Sequence, residues 1–254
     1  MAFGVKKLIG RSADQRSLEH WTRLADHAGS LDFSELKAAR TRAGELRREI
    51  DRLCRAADGR MVGISPALTT PAEADWSWRP DAFRLANPTP GFSGIPSGTA
   101  VSPEITLYHD CKVNEISLRQ VRNRTASDIA PFGLQMDVFR FDGSFLSLAV
   151  PLPEEATNGL LRRHLVGLRM LLRLERPLEL FARVNVRHGP NTEQKVREIR
   201  AESGEVTFEF DLAYTEMNER MVEKAWLDLI FESPEMNQVE IRDMTMYRRP
   251  RAEM

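Results

Sequence analysis

The sequence predicts a mainly β protein, an antiparallel two-sheet jelly-roll sandwich preceded by an N-terminal α-helical hairpin. Three observations predict this class. Apolar residues recur at every third or fourth position up to residue 60, and alternate at every second position in many short runs after residue 102. Pro and Gly are frequent between these two parts. Turn residues separate the alternating runs, of which there are about eight to ten, as is typical of sandwiches.

These patterns predict three regions: a helical hairpin over 1–60, a Pro/Gly-rich linker with the first strands over 61–102, and the β-sandwich over 103–254. The second helix is the best marked, since Asp32 and Glu35 have the spacing of a capping box. Its apolar residues form a heptad seam of Leu36, Ala39, Ala43, Leu46, Ile50, Leu53 and Ala57. Packing of this seam on the first helix, self-association and docking of another protein on residues 32–58 all remain open.

Composition limits the function classes. Of the 254 residues, 42% are hydrophobic, which is typical of a folded protein, and the net charge of −1 argues against nucleic-acid binding. The two cysteines form neither a disulfide framework nor a metal motif. We predict no metal and no cofactor, and we see no stretch long enough to cross a membrane and no secretory leader. The expected location is therefore the cytoplasm.

The run from Leu178 to Arg187 is the main candidate for function. Its aliphatic residues alternate with Phe181, Arg183, Asn185 and Arg187, so period two places the second set on the opposite face of a strand. The turn His188-Gly189-Pro190-Asn191 follows. Guanidinium and amide groups beside an aromatic ring can hold a sugar or another polyol. We predict a ligand-binding face of Phe181, Arg183, Asn185, Arg187, His188 and Asn191, which Arg169, Arg173, Glu209 and Asp211 extend if their strands are neighbours. A solvated face with cross-strand ion pairs is the alternative.

Two further features of the sequence have a predicted role, a pair of tryptophans and a turn. Trp76 and Trp78 lie on one face of an extended segment, where paired indoles either form a stacking platform for a ligand or plug the edge of the core. We include them among the candidate ligand-binding residues. Asp142-Gly143 is predicted as the two-residue turn of a hairpin between the strands on either side of it.

No catalytic residues are predicted. His109 and Asp110 are the most enzyme-like pair, but neighbours on a strand point to opposite faces and are poorly placed to hydrogen-bond. The sequence has no nucleophile elbow, zinc motif or phosphate-binding glycine loop. The outward carboxylates Asp137, Asp211 and Asp228 leave a carbohydrate-active hydrolase as an alternative, which needs a carboxylate pair at a defined separation.

The chain also shows two resemblances to known families. The ending AWLDLIFESPEMNQVEIRDMTMYRRP resembles the closing hairpin of galactose-binding-like and carbohydrate-binding-module sandwiches. From DWSWRP through TLYHDC, FGLQMDVF, NVRHGPNTEQ and FDLAYTEMNE to WLDLIFESPEMNQV, the chain resembles an uncharacterised family of Rhodobacter-group alphaproteobacterial proteins, a domain of unknown function. The first resemblance implies a jelly roll that binds carbohydrate. The second implies a bacterial origin and no known site.

Three functions follow as expectations. The first is a non-enzymatic module that binds a glycan or another polyol on the polar sheet face. The second is a carbohydrate-active hydrolase on the same sandwich. The third is a scaffolding protein whose partner docks on the arginine-rich helices.

Overall fold

The computed structural model describes residues 11–62, 70–125 and 128–251. The chain divides into two compact units, 1–56 and 57–254. The first unit contains helix α1 (Arg11–Asp26) and most of helix α2 (Phe33–Val62). Oδ1 of Asp32 accepts the backbone N–H groups of Ser34 and Glu35 at 2.7 and 3.0 Å, as expected of the predicted N-cap. No helix of the described residues is long and apolar enough to cross a membrane.

The second unit is a two-sheet β-sandwich, as predicted. Its elements are β1 (Trp76–Trp78), α3 (Asp81–Arg84), β2 (Gly91–Ser93), β3 (Thr99–Ser102), β4 (Ile105–His109), β5 (Ile116–Arg122), β6 (Phe132–Val138), β7 (Leu146–Pro151), α4 (Glu154–Thr157), β8 (His164–Leu174), β9 (Leu178–His188), β10 (Asn191–Ala201), β11 (Gly204–Asp211), β12 (Val222–Phe231) and β13 (Asn237–Pro250). A 3-10 turn, Glu219–Met221, precedes β12.

The strands form two antiparallel sheets. The seven-stranded sheet has the order β11-β8-β13-β6-β5-β2, with β1 also paired to β13, and the six-stranded sheet has the order β10-β9-β12-β7-β4-β3. Inward side chains of both sheets, such as Leu168 and Leu229, are almost completely buried and form one core. This agrees with the alternation read from the sequence, in which every second residue is apolar.

Two predicted hairpins are wrong. The strands on either side of Asp142-Gly143, β6 and β7, lie in different sheets, and so do the last two strands, β12 and β13. Asp142 instead joins two loops, because its Oδ1 accepts the backbone N–H groups of Lys112 and Val113 at 2.8 and 3.1 Å. Hydrogen bonds from the Cys111 thiol and from these amides lower the pKa of Asp142 to about 2.

Candidate ligand-binding face

The outer surface of the six-stranded sheet carries the candidate site. Leu180, Ala182 and Val184 of β9 point into the core, so Phe181, Arg183 and Asn185 lie on the outer side, as predicted. Strand β12 pairs with β9 so that Trp226 lies opposite Asn185, Asp228 opposite Arg183 and Ile230 opposite Phe181. We call this outer surface of β9, β12, β7 and β4 the polar face.

An ion pair and an amide form the centre of the polar face. The guanidinium of Arg183 donates from Nε and Nη2 to Oδ2 of Asp228 at 3.0 and 2.9 Å. The amide of Asn185 donates to the same oxygen at 2.9 Å. Asp228 is buried, whereas the Arg183 side chain is about one-third exposed. The guanidinium is therefore the part of this ion pair that is accessible to solvent. Charge-assisted hydrogen bonds of this kind hold side chains in one geometry.

The side-chain oxygen of Asn185 has no hydrogen-bond partner among the described residues. The side chain is fully buried, and its Oδ1 accepts no hydrogen bond. Rotating the amide would place this oxygen against the Asp228 carboxylate, so the hydrogen bond from Nδ2 fixes the orientation. A buried acceptor without a partner costs free energy. Since this oxygen is not accessible to solvent, a ligand on the polar face does not contact it.

Aromatic rings flank this cluster. Phe181 and Trp226 are half-buried on the polar face, and Tyr108 of β4 is 43% exposed. The ammonium of Lys224 lies 5.5 Å from the ring centre of Trp226. Tyr108 pairs with Ser147, which in turn pairs with Ile230, so three strand intervals, about 14 Å, separate Tyr108 from Phe181.

Small side chains lie between the aromatic rings. Asp228 is opposite Ala149 of β7, and Ala149 is opposite Thr106 of β4. Next to them on β7, Ser147 is opposite Ile230. No aromatic side chain is paired between Asp228 and Thr106 on these strands.

The end of the β9–β10 hairpin corrects one part of the prediction. His188 and Asn191 are paired as strand residues, and the turn consists of Gly189, which has φ +59°, and Pro190. His188 is buried, because it falls on the same side of β9 as Val186, and its Nδ1 accepts the backbone N–H of Asn218 at 3.3 Å. His188 is therefore not part of the polar face. Asn191 is exposed at the first position of β10.

Arg187 lies on the outer side of β9 but is engaged by its neighbours. Its Nε lies 3.2 Å from a carboxylate oxygen of Glu223 and 3.4 Å from the carbonyl oxygen of Gly189. The side chain is about half exposed. It therefore forms the rim of the polar face rather than its centre.

The two tryptophans of β1 lie elsewhere. Trp76 and Trp78 pair with Arg248 and Met246 of β13 in the seven-stranded sheet, and both rings pack partly buried against the core. This arrangement fits the plug that the sequence left open as the alternative. The structure does not bring them together with Phe181, which lies in the other sheet.

The predicted extension of the face is also wrong. Its four residues are in β8 and β11, both in the seven-stranded sheet: Arg169, Arg173, Glu209 and Asp211. The true neighbours of β9 are β10 and β12. Trp226, Asp228 and Tyr108 were therefore not predicted as members of the face. The alternation along each strand indicates that these side chains point outward, but the sequence does not indicate which strands pair.

His109 and Asp110, the most enzyme-like pair of the sequence, form hydrogen bonds that hold loops in place. Nε2 of His109 lies 2.7 Å from the carbonyl oxygen of Ile95, and its Nδ1 accepts the backbone N–H of Cys111 at 3.1 Å. Asp110 accepts the backbone N–H and the hydroxyl of Ser144 at 2.7 and 2.5 Å. These hydrogen bonds lower the pKa of Asp110. Both side chains hold loops in place, and they do not bond to each other.

Comparison with solved structures gives matches of low identity. The family 11 carbohydrate-binding module from Clostridium thermocellum, in complex with a beta-1,3-1,4-mixed-linked tetrasaccharide, is 11% identical, with a TM-score of 0.40 over 63% of this chain and 96% of that chain. TmCBM61 in complex with beta-1,4-galactotriose is 14% identical, with a TM-score of 0.37 over 58% and 89%. The enzymatically active domain of bacteriophage CBA120 tailspike protein 4 is 6% identical, with a TM-score of 0.42 over 60% of this chain and 21% of that chain.

Sequence comparisons place the chain in a family. No curated protein sequence matches it. The model of a family of unknown function, DUF6478, matches residues 1–254. The chain therefore belongs to this family of unknown function.

Proposed function

We propose that the protein is a non-enzymatic binding module that recognises a saccharide or another polyol on the polar face. One observation carries the proposal: the fixed cluster of Arg183, Asp228 and Asn185 lies beside Phe181 and Trp226. A polyol needs fixed donors and acceptors for its hydroxyl groups and a ring for its apolar face.

The arrangement assigns a role to each group. Asn185 holds the Asp228 carboxylate in place, the free lone pairs of Asp228 accept hydroxyl protons, and Nη1 of Arg183 donates to a hydroxyl or ring oxygen. Phe181 and Trp226 contact the C–H groups of the ring. Lys224, above Trp226, is an exposed flexible side chain that can move aside or pair with an acidic substituent of the ligand.

Contacts of Asp228 favour binding over hydrolysis. Its Oδ2 accepts three hydrogen bonds from Arg183 and Asn185, so this carboxylate is an anchor of the face. The acids considered for catalysis, Asp137 and Asp211, lie on β6 and β11 of the other sheet, separated by β8 and β13. Asp137 accepts hydrogen bonds from Ser117, Gln135 and Gln238. The hydrolase alternative gains no support from these positions.

Affinity for a panel of neutral oligosaccharides and polyols tests the proposal. A thermal-shift screen identifies a ligand, and calorimetry then compares Phe181→Ala with the unchanged protein. We expect the Phe181→Ala substitution to weaken binding about tenfold, because it removes the ring contact and leaves the fixed polar cluster.

Phe139→Ala is the matched control. Phe139 is an exposed phenylalanine just after β6, in the other sheet, and its loss should leave the affinity unchanged. If no compound of the panel shifts the melting temperature, or if both substitutions weaken binding equally, the polar face is not the binding site.

A second role belongs to the helical unit. We propose that it binds a second copy of the chain through the heptad seam of α2. Leu46, Ile50 and Leu53 are 38, 49 and 69% exposed, although they occupy consecutive seam positions. The first half of α2, by contrast, faces α1 across a hollow of about 300 Å³, whose lining includes Trp21, Leu24, Leu31, Glu35, Ala38, Ala39 and Arg42. A self-complementary apolar stripe such as the exposed half of the seam is buried by an identical helix.

A further inference from the structure

An arginine-rich cleft lies at one end of the sandwich, apart from the polar face. It is an open depression of about 590 Å³, lined by Arg162, Arg163, Ala213, Met217, Asn218, Glu219, Arg220 and Arg251. Four of these eight residues carry a guanidinium and one carries a carboxylate. The cleft therefore has a strong excess of positive charge in a chain whose net charge is −1.

Two of the arginines are held in place by the protein. Nη2 of Arg162 donates to the carbonyl oxygen of Ala213 at 3.0 Å. The guanidinium of Arg251 lies over the ring of Tyr214, 5.5 Å from its centre, and 3.6 Å from a carboxylate oxygen of Asp211. The fixed geometry means that part of the cleft is organised before any ligand arrives, which lowers the entropy cost of binding.

The other two arginines are uncompensated. The side chains of Arg163 and Arg220 are exposed, and neither has a hydrogen bond or an ion pair within the described part of the chain. The one carboxylate of the lining, Glu219, offsets part of this charge but forms no ion pair with either arginine, and its Oε1 accepts the backbone N–H of Arg162 at 2.6 Å. Asp211 and Glu219 offset part of the charge of the four guanidiniums, and the remaining positive charge favours an anion in the cleft.

We propose that this cleft binds an oxyanion, the carboxylate, phosphate or sulfate group of a ligand. Arg162 and Arg251 form the fixed side of the site, and Arg163 and Arg220 close on the anion as paired donors, since a guanidinium matches two oxygens of such a group. Ala213, which is partly exposed, offers an apolar contact for the part of the ligand next to the anionic group.

Calorimetry on the full chain at constant ionic strength tests this site, with inorganic phosphate, sulfate and glucuronate as separate probes. At least one of them should bind with a Kd below about 10 mM, and the anion that binds identifies the source of the oxyanion. Arg163→Gln combined with Arg220→Gln should weaken this binding at least about tenfold, because it removes the two donors that have no other partner.

The control combines Arg124→Gln with Arg200→Gln, which makes the same change in net charge at two exposed arginines outside the cleft. It should leave the affinity within about twofold. Absence of binding by all three anions, or an equal loss in the control, would overturn the proposal. Should the cleft variant fail to fold, arginine Nε–Hε signals of the unchanged protein should shift on titration, and unmoved signals would also overturn it.

Discussion

Gly167 and Tyr247 show how one position determines where an aromatic ring lies. They are paired on β8 and β13, and a Cβ at Gly167 would lie 2.0 Å from Cζ of Tyr247. The buried ring therefore covers the glycine, and its hydroxyl donates to Glu209 at 3.0 Å. Burial, followed by the bond to Glu209, raises the pKa of Tyr247 to about 12, so the phenol stays a donor across the physiological range.

Gly167→Ala should destabilise the sandwich by about 1–3 kcal/mol, because the new methyl group and the Tyr247 ring cannot occupy the same space. Chemical denaturation measures this cost. In a Tyr247→Ala background the same change at Gly167 should cost far less, since the clash is then gone. Gly91→Ala, whose Cβ would have ordinary contacts, is the control. An equal cost at both glycines would contradict this explanation.

His164 provides a pH-dependent contribution to stability. Its ring is buried, and its Nδ1 accepts the backbone N–H of Leu161 at 3.0 Å. Burial, and then the charge of Arg248, lower the pKa of His164 from its ordinary 6.5, while Asp75 opposes this shift. Arg163 lowers the pKa further, and Glu219 opposes it, by smaller amounts. The unfolded chain therefore binds this proton more readily than the folded chain does.

The free energy of unfolding should consequently fall as the pH decreases below about 6.5, toward the lower pKa of the folded state. Denaturation midpoints measured between about pH 7.5 and 5.5 test this, and His164→Gln should make the decline shallower. The matched variant His20→Gln, at an exposed histidine of α1, should leave it unchanged. A decline of equal steepness in all three proteins would rule out His164 as its cause.

Several residues of the candidate site could be predicted from the alternation of apolar and polar residues along their strand alone. Phe181 and Arg183 lie on the outer side of β9 because every second residue of this strand is apolar and buried. This alternation does not indicate which residues of neighbouring strands lie beside a given side chain. Asn185 has the predicted side but is fully buried, because its amide is drawn into the cluster with Asp228. The alternation along β9 also indicates that His188 points inward, so assigning that residue to the polar face was the error.

At the scale of elements, strand existence was easier to predict than strand pairing. The alternating runs of β4, β6, β8, β9 and β11 lie where the sequence pattern predicts strands. Strand β10 was not predicted as a separate strand, because most of its residues are polar and exposed. Asp142-Gly143 has the residues of a tight turn, but the residues around it hydrogen-bond to the loop after β4 instead.

The proposed association of α2 has its own test. The double variant Leu46→Lys, Ile50→Lys should convert an associated protein into a monomer in sedimentation-equilibrium experiments, because it places charges in the seam. Leu18→Lys with Phe33→Lys changes two exposed apolar residues outside the seam and should leave the association intact. A monomeric unchanged protein would contradict the proposed association, as would dissociation of both variants.

At the scale of the whole molecule, the polar face results from the order of the strands in the six-stranded sheet. It combines strands that are distant in the chain, since Tyr108 comes from β4, Phe181 from β9 and Trp226 from β12. The order of these strands in one sheet depends on which strands cross between sheets. Alternation is the same for either sheet, so a single sequence indicates a sandwich without indicating which outward residues meet.

The topology also separates the tryptophans. Trp21 is in the helical unit, Trp76 and Trp78 are in the seven-stranded sheet, and Trp226 is on the polar face. The four indole N–H groups therefore report on three different regions of the protein. A ligand that binds the polar face should change the surroundings of one of these four groups and leave the other three as they were.

The most direct measurement is an NMR titration of the 15N-labelled full chain with an oligosaccharide selected by the thermal-shift screen. If the polar face is the binding site, the indole signal of Trp226 moves with ligand concentration, while the signals of Trp76, Trp78 and Trp21 stay in place. Movement of the Trp76 and Trp78 signals with an unchanged Trp226 signal would contradict binding at the polar face, and so would a titration in which none of the four signals moves.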